Sequence, residues 1–513
     1  MLPARSRARA ATILVSLLLA LLVGLPAGAS AGVVRAGELD PPNRGDTVLG
    51  AVDGIKYRTD ATPFSGGGDG FGLALAGCGE RPWQLIGGGA AVDGLPAGAS
   101  AGWTDPARIP GTVGRFGVLG ATLSDGTLVA LWTEGAGGLR NQLKARVRAP
   151  GSTRWRAVDG PKGVYLQGLS LAEGDYGTTI IGFEKGDVGS QAVHLVTLDT
   201  RAPGFSRPVR VFTDAAYETI GARVARGRDG TLLVGATARP VSPPEGDPVY
   251  RAVVAVRRPG AAWARRYLSA ADTHAGVNAV AVNREGGAIV GIIEGYSLAA
   301  MTVRAATLRH GASTRWKIRT VSASGDAQGV SAAIGDDGTA ALAWAATSTN
   351  FRTARVATTD VDDTGAGWAL STVETDSVAI SGVPQVAVAK TGGVTALWTR
   401  SNRIRGVYID GVTVSAIAPF TAEGKIAALS GLRARPDGRI AALYHLFAPG
   451  VVNEGLRYRL IAAGVPGTET TITDAADGEV NSERLSLGPR GRATVIYTRG
   501  DYPDTDFAFL QQR

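Results

Sequence analysis

Cysteine is nearly absent. Cys78 is the one thiol in 513 residues, so no internal disulfide can form, and stability must come from burial and strand pairing. Cys78 itself reads as a buried, inert thiol. The four histidines, His194, His274, His310 and His445, have no paired spacing. The single cysteine excludes zinc-finger-like and iron–sulfur sites by count, and the unpaired histidines argue against a His-rich metal centre, so neither metal nor cofactor is expected. Helical periodicity is missing too: no repeat places apolar residues at three- and four-residue spacing, which excludes solenoids of paired helices. Net charge is a mild +8 over the whole chain, without Lys/Arg runs. No nucleic-acid partner is therefore expected. No Gly-x-Ser-x-Gly elbow leads into a helix, and the GGGAA run at 87–91 lacks the Gly-Lys-Ser/Thr ending of a phosphate loop.

Residues 1–31 read as an export leader. Arg5, Arg7 and Arg9 form its basic start, 13–25 its apolar stretch, and Ala29-Ser30-Ala31 its cleavage site. The apolar stretch is short for a spanning helix and is interrupted by Gly24 and Pro26. The expectation is a secreted, extracellular protein with no membrane insertion after cleavage. Residues 32–107 read as a small Gly-rich β segment. Its run GCGERPWQLIGGGAAV resembles a β module of secreted actinobacterial proteins, in which a second Cys is usual; here there is none.

Beyond residue 107 an apolar strand runs into a polar turn with Gly and out into a second apolar strand, eight times over. FGVLGATLSDGTLVALW begins at Phe116, VSAAIGDDGTAALAW at Val330 and VPQVAVAKTGGVTALW at Val383. The turn glycines are Gly126, Gly177, Gly230, Gly286, Gly338, Gly392, Gly438 and Gly491, spaced 46 to 56 residues apart. Alternation such as Val277, Ala279, Ala281 is a strand signal. A third strand follows each hairpin, and a fourth follows a Gly-rich turn, as in GSTRWRAV from Gly151. Four antiparallel strands per fifty residues make one propeller blade. The chain is thus predicted to be all-β, a β-propeller over 108–513 with eight blades, or seven if terminal copies are shared. The last copy ends after its third strand, so its outer strand must be missing or come from upstream.

An aromatic recurs six residues after the turn glycine, at Trp132, Phe183, Trp344, Trp398, Tyr444 and Tyr497. Such a ring of large side chains is read as inter-blade packing rather than as a sugar-stacking surface. Asp360 to Asp363 and Asp474 to Asp477 lack the spacing of a calcium loop with its closing Glu and read as acidic turns, while the tail Asp501 to Asp506 is the best calcium candidate.

The fourth-strand turns resemble the Asp-box of the sialidase family, Ser-x-Asp-x-Gly-x-Thr-Trp. The nearest copy is Asp363-Thr364-Gly365-Ala366-Gly367-Trp368, with Val361 in place of the Ser. In that family the box is a structural turn, so the resemblance implies a propeller fold. Arg108-Ile109-Pro110 is similar to the family's Phe-Arg-Ile-Pro motif, whose Arg grips the substrate carboxylate. The resemblance implies Arg108, Arg400 and Arg499 as carboxylate-binding residues, with Tyr497 and Glu184 as a Tyr–Glu pair for attack. Arg400 and Arg499 both lie eight residues after their turn glycines, Glu134 holds the same offset, and Glu184 and Glu294 lie within a residue of it. Glu134, Glu184, Glu294, Arg400, His445 and Arg499 are the ligand-binding candidates, because they are where the copies differ. The leading expectation is a non-catalytic binding protein with an extracellular protein or glycan partner at the propeller mouth. The alternative is an extracellular sialidase-like glycoside hydrolase.

Overall fold

In the computed structural model the described residues are 102–512, apart from short connections, and three earlier strands, Thr47–Val52, Ile55–Thr59 and Gln84–Ile86. The leader, Cys78, the glycine-rich stretch around it and residues 501–505 of the acidic tail lie outside the described residues. The three early strands form one antiparallel sheet.

The turn glycines set the architecture. All eight have φ between +75° and +93°, a region that side-chain-bearing residues rarely enter. Each therefore reverses the chain tightly between the first and second strands of a copy. Four-stranded antiparallel meanders result, covering 119–164, 167–210, 217–267, 275–320, 330–375, 380–417, 426–471 and 480–511. The fold is an eight-bladed β-propeller. In blades two and seven the outer strand is split into two short pieces.

The last blade takes its outer strand from upstream. Ala107–Arg108 pairs with Asp506–Gln511, and Trp103 bridges Gln512. The ring therefore reaches back to Trp103, which is buried and packs edge-on against Tyr458 at 5.2 Å.

Eight buried apolar clusters hold the ring, one for each pair of neighbouring blades. The second-strand aromatic of a blade packs back onto the blade before it. Trp344 of blade five sits among Ile289, Ile293, Met301 and Val303 of blade four. Trp132 of blade one meets Ile496 and Phe507 of blade eight, closing the circle. Blade three has Ala236 at that position, and Phe212, Trp263 and Tyr267 fill out its cluster instead.

A second periodicity lies at the innermost strands. Side chains there hydrogen-bond the backbone of the following blade: Val224 N–H donates to Ser170 Oγ at 2.9 Å, Ser331 Oγ to the Pro384 carbonyl at 2.7 Å, and Thr122 N–H to Ser486 Oγ at 2.7 Å. Most innermost strands also carry a bulge, as between Ile220 and Arg223, Val277 and Ala279, and Leu429 and Gly431. A bulge leaves a backbone group outside the ladder and re-aims the adjacent side chains.

Candidate functional site

Two faces result from the meander. One carries the first-to-second and third-to-fourth turns. The other, the mouth face, carries the ends of the second strands and the connections between blades. All six ligand-binding candidates sit at second-strand ends and so belong to the mouth face.

In blades two and six the residue seven positions after the turn glycine caps the bulge of the next blade. Glu184 Oε1 accepts the Gly221 N–H at 2.7 Å, and Thr399 Oγ1 accepts the Leu429 N–H at 3.1 Å. Gly168 has φ +62°, and a Cβ there would run into the Glu184 carboxylate. His445 is the equivalent residue in blade seven. Its Nδ1 lies 3.4 Å from Oε1 of Glu483, a bulge residue of blade eight, and Ser430 Oγ donates to the same oxygen. These three side chains are buried or half-buried between blades seven and eight.

The two buried carboxyl groups differ electrostatically. Burial pushes the Glu184 carboxyl up, and the N–H groups of Gly221 and Ala222, with Arg223 nearby, only partly oppose it. Burial would likewise raise Glu483, but the charge and hydrogen bond of His445, with Ser430, outweigh it and hold the carboxyl at about 2. Linkage then gives opposite pH responses. Glu184 stays protonated to higher pH in the fold than in the unfolded chain, so its contribution is lost as pH rises through its folded value. Glu483 contributes above the ordinary Glu value near 4.3, and that contribution is lost as pH falls toward about 2. Glu184→Gln keeps the acceptor for Gly221 without a charge to desolvate, so its melting temperature at pH 7 should rise. Glu483→Gln should lose about 1–3 kcal/mol at pH 7, with the loss shrinking toward pH 3. Thermal melts at the two pH values check both; shifts of the same sign in the two variants would overturn the assignment.

The implied carboxylate-binding residues meet only in part. Arg108 Nε and Arg499 Nε converge on Asp506, each at 2.8 Å, so two guanidinia do grip one carboxylate, and it is the protein's own. Arg400 stands elsewhere. It is fully buried, its Nη1 3.2 Å from Glu374 Oε2 and its Nη2 donating to the Arg352 carbonyl between blades five and six. Arg405 and Trp398 Nε1 hold the same Glu374, at 2.5 and 2.6 Å. Burial lowers the Arg400 pKa, while Glu374 and Asp376 act to raise it. Tyr497 packs between blades seven and eight, whereas Glu184 faces blade three. The Tyr–Glu pair is not brought together. Glu294 pairs with Arg304, and Glu134 lies 4.0 Å from Lys144 Nζ.

The sequence reading missed the partners of the aromatic ring. In six blades the residue directly opposite the packing side chain on the third strand is a cation or His: Lys144 faces Trp132, His194 faces Phe183, Arg304 faces Ile292, Arg355 faces Trp344, Arg405 faces Trp398 and Arg457 faces Tyr444. An acid often completes the set, as Asp159 does for Lys144 at 3.0 Å and Glu469 for Arg457 at 3.8 Å. Third-strand alternation carries this signal, once the register of the hairpin is known. Among the described residues no group of three or more His, Cys, Asp or Glu is placed to hold a metal ion. Asp363 Oδ1 caps its own turn through the Gly365 N–H at 2.7 Å.

No protein-family profile matches this chain. No curated protein sequence matches it either. Similar solved structures include a protein of unknown function from Dyadobacter fermentans, at 14% identity and TM-score 0.39, covering 68% of this chain and 95% of that one. A Hadza microbial sialidase is similar at 12% identity and TM-score 0.38, covering 72% and 74%. The β-propeller domain of the trilobed protease from Pyrococcus furiosus is similar at 10% identity and TM-score 0.39, covering 70% and 95%.

Proposed function

We propose that the protein is an exported, non-catalytic binding propeller that engages a protein or glycan partner at its mouth face. One contrast carries this reading. The first-to-second turns are uniform, four or five residues between strands in every blade. The second-to-third connections on the mouth face range from two residues, Ser401 and Asn402, to the ten of 241–250. Ser401 and Asn402 both have positive φ, as a minimal hairpin requires. The outer third-to-fourth turns also vary, from two residues to eight, but nearer the axis the variation falls on the mouth face, and variable loops on a constant scaffold are where binding residues concentrate.

The disposition of the charged residues supports a binding role over a hydrolytic one. A carboxylate-gripping set needs three guanidinia aimed at one open point. Arg108 and Arg499 are instead engaged with Asp506, and Arg400 with Glu374.

A glycan array and a fluorogenic sialoside assay on the secreted protein test the proposal together. The expected result is binding without hydrolysis, with binding abolished when 241–250 is replaced by a two-residue Ser-Asn connection. Hydrolysis that disappears in Arg499→Ala would overturn it.

A further inference from the structure

The turn face, opposite the mouth, carries a charge pattern absent from any continuous stretch of sequence. Two residues before the turn glycine, blade three has Arg228 and blade four Arg284. Two residues before the glycine of the third-to-fourth turn, the same blades have Arg258 and Arg309. The fold draws all four together. Asp229 N–H donates to the Arg284 carbonyl at 2.9 Å, while Arg258 donates to the carbonyls of Gly286 and, at 2.8 Å, Arg309. Arg228, Arg284 and Arg309 are exposed, and the largely buried Arg258 guanidinium lies beneath them.

Acids within the patch only partly balance it. Asp229 lies 4.0 Å from Arg258, Glu285 is exposed beside Arg284, and Asp362 stands 4.0 Å from Arg309 at the border with blade five. Blade five carries acids in both turns instead: Asp336 two residues before Gly338, Asp360 at the cross-strand position that Arg258 and Arg309 hold, and Asp363 further along the same third-to-fourth turn. Asp336 Oδ1 accepts the Arg284 N–H at 3.3 Å, so the boundary is abrupt.

We propose that the turn face of blades three and four binds an anionic polysaccharide. The Asp229–Arg284 backbone bond brings the two first-to-second turns into direct contact, so Arg228 and Arg284 present their guanidinia as one compact cluster rather than a spaced row. Guanidinium forks suit carboxylate and sulfate groups. A sparsely charged chain can seat one anionic group in that cluster and pass the Asp336–Asp363 pair with an uncharged stretch. Duplex DNA, with one charge per ~1.7 Å of axis, would press phosphates against those aspartates. The site is independent of the mouth face and survives if the binding reading there fails.

Polygalacturonate, dextran sulfate, neutral dextran and a short DNA duplex are the probes, titrated at low and at physiological salt. The intact protein should bind at least one of the two acidic polysaccharides, with affinity falling as salt rises, and should not bind neutral dextran. Arg228→Gln with Arg284→Gln should weaken binding about tenfold or more, with an unchanged melting curve. Asp336→Asn with Asp363→Asn, which keeps the turn hydrogen bonds, should strengthen it. The proposal is overturned if neither acidic polysaccharide binds, if the arginine variant binds as the parent does, or if DNA binds more tightly than both and responds to the same variant.

Discussion

Replacing Trp344 by alanine is expected to destabilise the ring by ~3–5 kcal/mol, the usual cost of emptying a large buried aromatic site. Trp344 is fully buried, and its neighbours Ile289, Ile293, Met301 and Val303 all belong to the preceding blade. They are fixed in their own sheet and cannot collapse into the void. Blade three shows what tolerance requires: Ala236 is accommodated there with Phe212, Trp263 and Tyr267 in its cluster. Blade five has no such set around Trp344, whose cluster gains only a half-buried Trp368. Urea denaturation measures the difference directly. A loss below ~1 kcal/mol would remove the aromatic ring from its role in packing the blades.

A chain beginning at residue 111 instead of 102 should lose ~5 kcal/mol or more, because two buried sites disappear together. Trp103 and Ile109 are both buried, and Ile109 N–H donates to the Phe507 carbonyl at 2.7 Å. The pairing of Ala107 and Arg108 with Phe509 and Ala508 is lost as well. The strand Asp506–Gln511 then becomes an uncovered edge, and such edges recruit other strands. Thermal melting and gel filtration should therefore show a lower transition and concentration-dependent association. A monomer with the parent's melting temperature would mean that the upstream strand is dispensable for closure.

The blades were legible because turn chemistry is local. A Gly at fixed phase between two alternating strands states its conformation without reference to anything distant. The spacing favoured eight blades over seven and left the last outer strand either missing or drawn from upstream; the structure has eight, with that strand from upstream. Partners across blades were not legible, since they depend on register and on which face a bulge presents. Glu184 and His445 were singled out as departures from the repeat. Their neighbours Gly221 and Glu483 lie in other copies, and nothing in the spacing joins them. Arg499 and Arg108 read as hands for a foreign carboxylate because Asp506 lies at the end of a separate strand. The cation opposite each packing residue was hidden for a simpler reason: the hairpins vary in length, so the cross-strand register had to be seen.

The bonds between innermost strands also bear on how the ring assembles. Ser170 meets a backbone N–H of blade three, Ser331 the Pro384 carbonyl of blade six, and Ser430 the Glu483 carboxylate of blade eight. These three junctions differ in chemistry, while the one between blades eight and one repeats the N–H-to-serine form of blades two and three. Repeat proteins with interchangeable units are prone to pair the wrong neighbours while folding. Here blades two, five and seven present different groups to their successors, so divergence among the copies helps to fix their order. Transplanting blade three into the place of blade six should deprive Ser331 of the Pro384 carbonyl that it donates to, although every blade has the same shape.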